Sequence, residues 1–263
     1  MKEVDPLTTI KQIHAHRSIR KYKSNPVPGD LLTKILEAGI RASSSGNMQT
    51  YSIVVTADPT LREQLYKAHF EQNMVLEAPL LLTFCADFHR MRQWLRISDA
   101  PDNFDNFMSF MIAAIDAILV SQNVALAAES EGLGICYLGS TFSNCNQVGR
   151  ILELPHNVVP VAGFTLGYPD EEPELRDRLP LDGLVHYETY QDYSDERVAE
   201  IYKQREVKGW ERYMSYPRLR KLIVDSGVEN LAQVYTKVKY SRRSHREYSR
   251  NVLSYLEEQD FMN

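Results

Sequence analysis

Residues 104–130, FDNFMSFMIAAIDAILVSQNVALAAES, form the longest helical pattern of the chain and decide how the rest must be arranged around it. Apolar residues occupy most of the circumference of this predicted helix, so it must be buried on several sides. Asp116, Gln122 and Asn123 interrupt the apolar run, which is therefore never continuous over the length of a membrane span. A subunit interface buries such a helix easily, so we expect a dimer core here, with Asp116 buried near the subunit contact.

Strand patterns lie on both sides of the long helix. Pro160 falls inside the last of them, which favours an edge strand or a bulge. Because long helices and not two-residue turns separate the strands, the chain is predicted to be mixed α/β or α+β. The predicted strands are residues 51–56, 80–86, a short run within 132–140, and 158–167.

Helix patterns occupy the segments between the predicted strands and the C-terminal third of the chain. Asp30 is predicted to cap a helix that runs to about residue 42, and Asp58-Pro59 to start another that runs to about residue 69. A short helix is expected over 144–152. Residues 195–263 have helical periods and little β signal, and no Pro/Gly/Ser linker separates them, so we expect one domain over 1–263.

The composition of the chain excludes some classes of protein. Of 263 residues, 43% are hydrophobic and 25% charged, as in ordinary soluble domains, and the net charge of -5 argues against a protein-wide nucleic-acid or membrane-surface role. Cys85, Cys136 and Cys145 are odd in number and lack C-x-x-C spacing, which indicates a reduced compartment. The N-terminal stretch MKEVDPLTTIKQIHAH has no apolar core of a secretory signal. We therefore expect a cytoplasmic protein.

The pentapeptide His16-Arg17-Ser18-Ile19-Arg20 combines two guanidinium groups, a hydroxyl and an imidazole. Such a set suits an anion with several oxygens, because arginine binds phosphate bidentately and keeps its charge. Because side chains alternate along an extended chain, Arg17 would lie on one side of it and His16, Ser18 and Arg20 on the other. A motif this short is also compatible with a merely solvated basic segment.

Other short segments do not have the residue spacing of the functional motifs that they suggest. The glycines do not fit the dinucleotide fingerprint, the triple serine lacks the ending of a P-loop, and no nucleophile elbow surrounds a serine. Two lone histidines, His14 and His16, are more often surface residues than metal ligands, and we predict no metal site. The glycines compared with the dinucleotide fingerprint are Gly132, Gly134 and Gly139, and the serine segment is Ser43-Ser44-Ser45-Gly46.

The segment 237–250, KVKYSRRSHREYSR, is strongly basic inside an acidic protein. It could be a solvated helix face. RNA binding would need a stacking platform or a broad basic field. A small Lys/Arg pocket for one extra phosphate, such as the 2′-phosphate of NADPH, fits a single short segment better.

Five motifs in register resemble those of the FMN-dependent nitroreductases, over roughly residues 10–191. The similarity is greatest to the branch of major oxygen-insensitive nitroreductases and NADPH-flavin oxidoreductases. The chain departs from this branch at Ser140, where glycine is usual, at Arg176, where lysine is common, and in the length of its tail. The motifs are His16-Arg17-Ser18-Ile19-Arg20, Ser44-Ser45-x-Asn47-x-Gln49, Gln72, Gly134-x-x-Tyr137-Leu138-Gly139 and Arg176-x-Arg178-Leu179-Pro180.

The resemblance implies an α+β subunit with a central, mainly antiparallel sheet between helices, in an intertwined homodimer whose residues 195–263 wrap the partner. It also implies two FMN molecules at the interface and no catalytic side chain. The phosphate and flanking residues would be His16, Arg17, Ser18 and Arg20. Arg176 and Arg178 would close on the phosphate and the pyrimidine edge, where either could stabilise the anionic reduced flavin. Gln72 would contact the pyrimidine, Tyr137, Leu138 and Gly139 would line the ring, and Ser44, Ser45 and Asn47 would reach across from the other subunit.

The implied activity is hydride transfer from NADPH, with NADH possible, through FMN to nitroaromatics, quinones or free flavin by a ping-pong mechanism. Three alternatives stay open. One is a flavin reductase that supplies reduced FMN to a partner, another is a non-catalytic FMN-binding redox partner, and a third is an RNA-binding tail on an inert scaffold. Which of Arg242, Arg243, Arg246 or Arg250 would face NADPH is not determined by the sequence.

Overall fold

The structure is a computed structural model that describes residues 9–263. The described chain forms two units, one of residues up to Glu174 together with Tyr248–Asn263, the other Leu175–Glu247. Half of the N-terminal stretch on which the secretory-signal argument rests, residues 1–8, lies outside the described residues. A single domain with a tail that wraps a partner subunit stays a prediction.

One four-stranded sheet organises the first unit, in the order β1-β2-β4-β3 with every strand pair antiparallel. All four strands lie where the sequence predicts them, and the α+β class is confirmed. All eight residues of β2 are buried, which explains why that strand is a continuous apolar run and not an alternating one. The strands are β1 (Tyr51–Thr56), β2 (Leu80–Asp87), β3 (Gly134–Tyr137) and β4 (Val158–Gly167).

A β-bulge accommodates Pro160. Phe84 pairs with Ala162, whereas the next residue of β2, Cys85, pairs with Pro160, so β4 carries one extra residue at this point. Proline has no N–H to donate to a ladder, and the bulge interrupts the ladder next to Pro160, at Val161, which is skipped in the register with β2. The predicted bulge is confirmed. The alternative of an edge strand is wrong, because β4 lies between β2 and β3.

Helices make up most of the remaining chain. The predicted cap of the helix after Asp58 is confirmed, since that carboxylate accepts from the Leu61 N–H at 2.8 Å. The helices are α1 (Thr9–Ala15), α2 (Gly29–Gly39), α3 (Pro59–Ala68), α4 (Met74–Glu77), α5 (His89–Ile97), α6 (Phe107–Ser130), α7 (Ser140–Ser143), α8 (Cys145–Ile151), α9 (Asp195–Ser215), α10 (Pro217–Asp225), α11 (Leu231–Gln233) and α12 (Arg242–Glu258).

Three details of the helices differ from prediction. The cap position of α2 is Pro28 and not Asp30, because the chain already turns there and Leu32 N–H donates to the Pro28 carbonyl at 2.9 Å. Asp30 lies in the first turn, where a carboxylate favours the positive end of the helix dipole. The helix predicted over 144–152 divides into α7 and α8 at Asn144. α1, α4 and α5 were not predicted.

The long helix α6 packs against α2, β2 and β4. Its inward residues, including Val120 and Val124, join a core with the sheet residues Phe84 and Phe164. Gly39 of α2 allows close helix contact, since a Cβ there would lie 2.1 Å from the Val124 Cγ2. α6 is long and apolar enough to span a membrane by length and composition, and half of the relevant window is buried inside the protein.

The second unit has its own small core. Tyr213 of α9 and Ile223 of α10 pack with Leu231 and with Val234, which begins a π-helical segment, Val234–Lys239. A Cβ at Gly209 would lie 2.5 Å from a Leu231 methyl group, so α9 and α11 approach closely at that glycine. This part of the chain is helical, as predicted.

Candidate functional site

The pentapeptide lies beside the edge strand β3. Ser18 forms a parallel bridge with Ile135, and the Ile19 N–H donates to the Ile135 carbonyl at 2.8 Å. Ile19 is buried beneath Gly134, whose missing Cβ makes room for it. Apolar Ile19 therefore anchors the segment, and its polar neighbours lie beside β3.

Arg17 and Arg20 carry charges that no carboxylate within residues 9–263 neutralises. The Nε of Arg17 is buried and has no hydrogen-bond partner in the described chain. Arg20 is exposed, and among the residues that the structure describes its guanidinium donates only to the Ser18 carbonyl, at 3.3 Å. A buried donor without a partner costs about 1–3 kcal/mol. This pair of guanidiniums is therefore suited to an anionic ligand.

Acidic groups border the same segment. The Nδ1 of His16 lies 2.6 Å from the Glu129 Oε1 of α6, so only the opposite ring nitrogen is left for a ligand. Glu171 accepts from the backbone N–H groups of Arg20 and Lys21. Arg17, Glu129 and Glu171 line a shallow cavity of about 380 Å³. These contacts orient the segment through its backbone and its histidine and leave the arginine heads unpaired.

The serine segment is held by a buried carboxylate of α6. Asp116 is fully buried, as predicted, and accepts from the Ser44 Oγ at 2.6 Å and the Ser45 N–H at 3.0 Å. The turn that follows is strained, because Asn47 and Gln49 both have positive φ, 56° and 54°. Asn47 is exposed. Asp116 thus stabilises an unusual backbone that displays Ser45 and Asn47 on the surface.

The end of β3 presents an open backbone edge. Tyr137 is tied to α6 by a hydrogen bond of 2.9 Å to the Ser121 Oγ, and its ring packs edge-on against Phe164. Burial raises the pKa of the Tyr137 hydroxyl, so it stays neutral. Leu138 is buried, and a Cβ built at Gly139 would have no atom within 4 Å. Space for a flat ligand is therefore available beside Gly139.

A buried pair that sequence reasoning missed lies behind Gly139. His69 is fully buried, and its Nδ1 lies 2.8 Å from the Ser140 Oγ. Desolvation lowers the pKa of His69 to about 4, so the imidazole is neutral near pH 7. The backbone carbonyl of His69 accepts from the Gln72 side chain at 2.9 Å. His69 therefore connects the turn of Gln72 to the segment of Gly139, although nothing local in the sequence indicates it.

Arg176 and Arg178 belong to the second unit and are exposed. The Nη1 of Arg178 donates to the carbonyls of Arg176 and Asp177, at 3.2 and 3.1 Å. The side chain between them, Asp177, is only 5% exposed and pairs with Arg205. Exposure therefore alternates along this segment.

α6 connects three of the candidate segments through polar side chains. Asp116 holds Ser44, Ser121 holds Tyr137, and Glu129 holds His16. Asp116 and Glu129 are 13 positions apart, about 20 Å along a helix. Along α6, the anchor of Tyr137 therefore lies between the anchor of the serine segment and the anchor of the pentapeptide.

The cysteines and the potential metal ligands of the described residues give no competing site. Cys85, Cys136 and Cys145 are buried and free, and burial raises the pKa of all three thiols, that of Cys145 to about 11. Within residues 9–263, no three His, Cys, Asp or Glu side chains are arranged to hold a metal ion.

Comparison with known proteins decides the class. The sequence profile of the Nitroreductase family matches residues 13–168, more than half of the chain. The chain belongs to the nitroreductase family. An NADPH-flavin oxidoreductase from Vibrio harveyi is 38% identical over 185 residues, covering 70% of this nitroreductase and 75% of the relative. The predicted oxidoreductase class is confirmed.

Solved structures extend the likeness to almost the whole nitroreductase chain. An oxidoreductase from Bacteroides fragilis is 41% identical and superposes with a TM-score of 0.88, covering 96% of this chain and 99% of its own. An NADPH:FMN oxidoreductase from Vibrio harveyi, complexed with NAD+, is 29% identical with a TM-score of 0.71, covering 93% and 97%. The nitroreductase fold predicted from the motifs is confirmed.

Proposed function

We propose that this nitroreductase is a cytoplasmic, homodimeric, FMN-containing oxidoreductase that uses NADPH. The observation that carries the proposal is the pairing of Ser18 with Ile135, which holds the segment of Arg17 and Arg20 beside β3, the strand that leads to Gly139. A phosphate-tailed flat ring needs this combination of fixed cations and open backbone. The names of the Vibrio harveyi relatives, which include flavin and FMN, agree with it.

The described residues fit FMN. The unpartnered Nε of Arg17 and the exposed guanidinium of Arg20 would hold the phosphate, with Ser18 beside them. The ring would lie against Gly139 and Tyr137, where a fixed hydrogen bond to α6 orients the tyrosine. When bound, FMN supplies two-electron hydride chemistry between a nicotinamide and an acceptor.

The chain's own task is to bind and orient. Gln72 would donate to the pyrimidine edge of the ring, and its amide is already held by the His69 carbonyl. No side chain needs to act as a nucleophile. An open ring face would admit the nicotinamide and then a flat acceptor such as a nitroaromatic, a quinone or free flavin, which gives ping-pong kinetics.

An apolar stripe on α6 supports the homodimer. Met108, Met111, Ile115 and Ile118 are 67%, 38%, 49% and 50% exposed and recur at helical spacing along one face. A contiguous apolar face of this kind needs a cover. The distance of about 20 Å between Asp116 and Glu129 along the helix also favours a serine segment that serves the neighbouring subunit's flavin.

NADPH is preferred to NADH in this proposal because of the basic tail. Arg242, Arg243, Arg246 and Arg250 are exposed on α12, where an additional phosphate could reach them. The proposed cytoplasmic location rests on the three free thiols, which persist in a reducing compartment.

The decisive experiment is an absorption spectrum of the purified protein, followed by anaerobic mixing with NADPH. A yellow protein that bleaches rapidly supports the enzyme. A protein that stays colourless after soaking with FMN would refute the proposal, and a yellow protein that bleaches only slowly would leave a flavin carrier. Parallel double-reciprocal plots test the ping-pong mechanism.

A second candidate is a flavin reductase that supplies reduced FMN to a partner, favoured by the NADPH-flavin oxidoreductase relative. Steady-state rates with free FMN and with nitrofurazone as acceptor distinguish the two. A much higher kcat/KM for FMN would indicate the reductase, and a preference for nitrofurazone would indicate the nitroreductase.

A further inference from the structure

Helix α3 ends in a turn of a kind that usually contains glycine. The Phe70 N–H donates to the Lys67 carbonyl at 3.2 Å, and the Glu71 N–H donates to the Tyr66 carbonyl at 2.9 Å. These two bonds form a Schellman motif, in which the residue after the cap has a left-handed backbone and is usually glycine. Here that residue is Phe70, with a φ of 56°, and Glu71 follows with a φ of 54°.

Phenylalanine is an unusual residue at this position. Nine non-glycine residues within 9–263 have a positive φ, and Phe70 is the only apolar one among them. A bulky side chain on a left-handed backbone is strained, and such strain is found most often at functional sites. Burial does not offset the strain, because Phe70 is 52% exposed. Stability alone therefore does not explain the aromatic ring at the end of α3.

The turn of Phe70 is attached to segments that the proposed function assigns to the flavin ring. The preceding residue, His69, bonds at 2.8 Å to Ser140, the residue after Gly139. The Gln72 amide, two positions after Phe70, donates to the His69 carbonyl at 2.9 Å. The ring of Phe70 is therefore carried by a turn whose two flanking residues are both fixed.

The Phe70 ring has one aromatic neighbour and a large exposed surface. Its centroid lies 6.0 Å from that of Tyr248 in α12, with the two planes tilted by 49°. Aromatic rings attract other flat rings in offset arrangements, and protein aromatics hold planar ligands by stacking on them. A half-exposed ring of this kind is suited to a planar ligand.

We infer that Phe70 is a specificity-determining residue that stacks on planar aromatic electron acceptors. This inference rests on the proposed function and adds to it a physical reason for a preference among acceptors. Nitroaromatics and quinones are planar and would gain the contact. A compact inorganic oxidant would not.

The test measures acceptor binding and chain stability in the same variants. Binding of nitrofurazone, a planar nitroaromatic, to the oxidised FMN-loaded protein is followed as a dissociation constant through the visible flavin band. Values of kcat/KM are measured with nitrofurazone and with ferricyanide, an octahedral anion that cannot stack. Stability is measured as the urea midpoint of the apoprotein.

Phe70→Gly should change stability and acceptor binding in opposite directions. The urea midpoint should rise, because glycine adopts a positive φ without strain. The dissociation constant of nitrofurazone should rise about 10-fold and its kcat/KM should fall by a similar factor, whereas kcat/KM for ferricyanide should change less than 2-fold. A ring with a merely structural role would lower the midpoint when removed. That result would overturn the inference, as would unchanged nitrofurazone binding or equal losses with both acceptors.

Glu71→Gly is the matched control, because Glu71 has the same backbone strain and no ring. It should raise the urea midpoint and leave nitrofurazone binding within 2-fold of the wild type. Phe70→Leu retains the strain and an apolar side chain and should still weaken nitrofurazone binding at least 3-fold. Phe70→Tyr retains the ring and should bind within 2-fold of the wild type. A loss of binding in Glu71→Gly as large as that in Phe70→Gly would assign the effect to the backbone and refute stacking.

Two further outcomes are distinguishable. If Phe70→Gly elutes as a monomer in sizing chromatography where the wild type is a dimer, the ring belongs to a subunit contact and the inference fails. If the wild type binds no FMN, the proposed function fails. If it binds FMN and reduces both acceptors while all Phe70 variants keep its preference, only the inference fails.

Discussion

Removing the Asp116 carboxylate should destabilise the serine segment and the long helix together. Asp116 accepts two short hydrogen bonds, from the Ser44 Oγ at 2.6 Å and from the Ser45 N–H at 3.0 Å, in a fully buried position. A hydrogen bond to a charged group contributes about 1.5–3 kcal/mol. Asp116→Ala should therefore lower the free energy of unfolding by about 3–5 kcal/mol, since relief from burying a charge offsets part of the loss.

Ser44→Ala removes one of these bonds and also the 2.8 Å bond from the Gln49 N–H to the Ser44 Oγ. We expect a loss of about 2–4 kcal/mol. Because the two single variants share the Ser44–Asp116 bond, the double variant should be less destabilised than their sum by about 1.5–3 kcal/mol.

The assay is equilibrium urea unfolding of the apoprotein, followed by circular dichroism at one fixed protomer concentration, since subunit association would contribute to stability. Ser130→Ala is the control on the same helix. Ser130 is exposed and, within the described part of the chain, its hydroxyl bonds only to the Ala127 carbonyl one turn earlier, so its loss should stay within about 0.5 kcal/mol. Additivity of Asp116→Ala and Ser44→Ala within about 0.5 kcal/mol would refute the reasoning.

Three further predictions follow from the site. Arg20→Ala should give largely FMN-free protein with unchanged urea stability, because within residues 9–263 the exposed guanidinium donates only to the Ser18 carbonyl; full FMN occupancy would show that the phosphate lies elsewhere. His69 has a pKa of about 4 in the folded chain and about 6.5 in the unfolded chain, so the unfolded state binds more protons between these pH values. The free energy of unfolding should therefore fall by about 3 kcal/mol as the pH drops from 6.5 to 4. His69→Gln should lack this part of the pH dependence. Ile118→Glu places a charge on the apolar stripe of α6 and should give a monomer in sizing chromatography, whereas an unchanged dimer would locate the interface on another surface.

Local patterns in the sequence were sufficient for most of the fold. β1 and β4 have the predicted ends, because β-branched and apolar runs bounded by polar residues specify strands without help from distant residues. The cap at Asp58 and the bulge at Pro160 likewise follow from the chemistry of single residues. Asp30 failed as a cap because a preceding proline already ended the extended chain.

The amino-acid sequence alone determined the strands, the long helix, the charged pentapeptide and, through motifs in register, the family. Only the tertiary structure decided which polar groups meet. Asp116 is 72 positions from Ser44, His69 is 71 from Ser140, and Asp177 is 28 from Arg205. Such pairs depend on how helices and strands pack, and neither propensity nor periodicity carries information about partners at that separation.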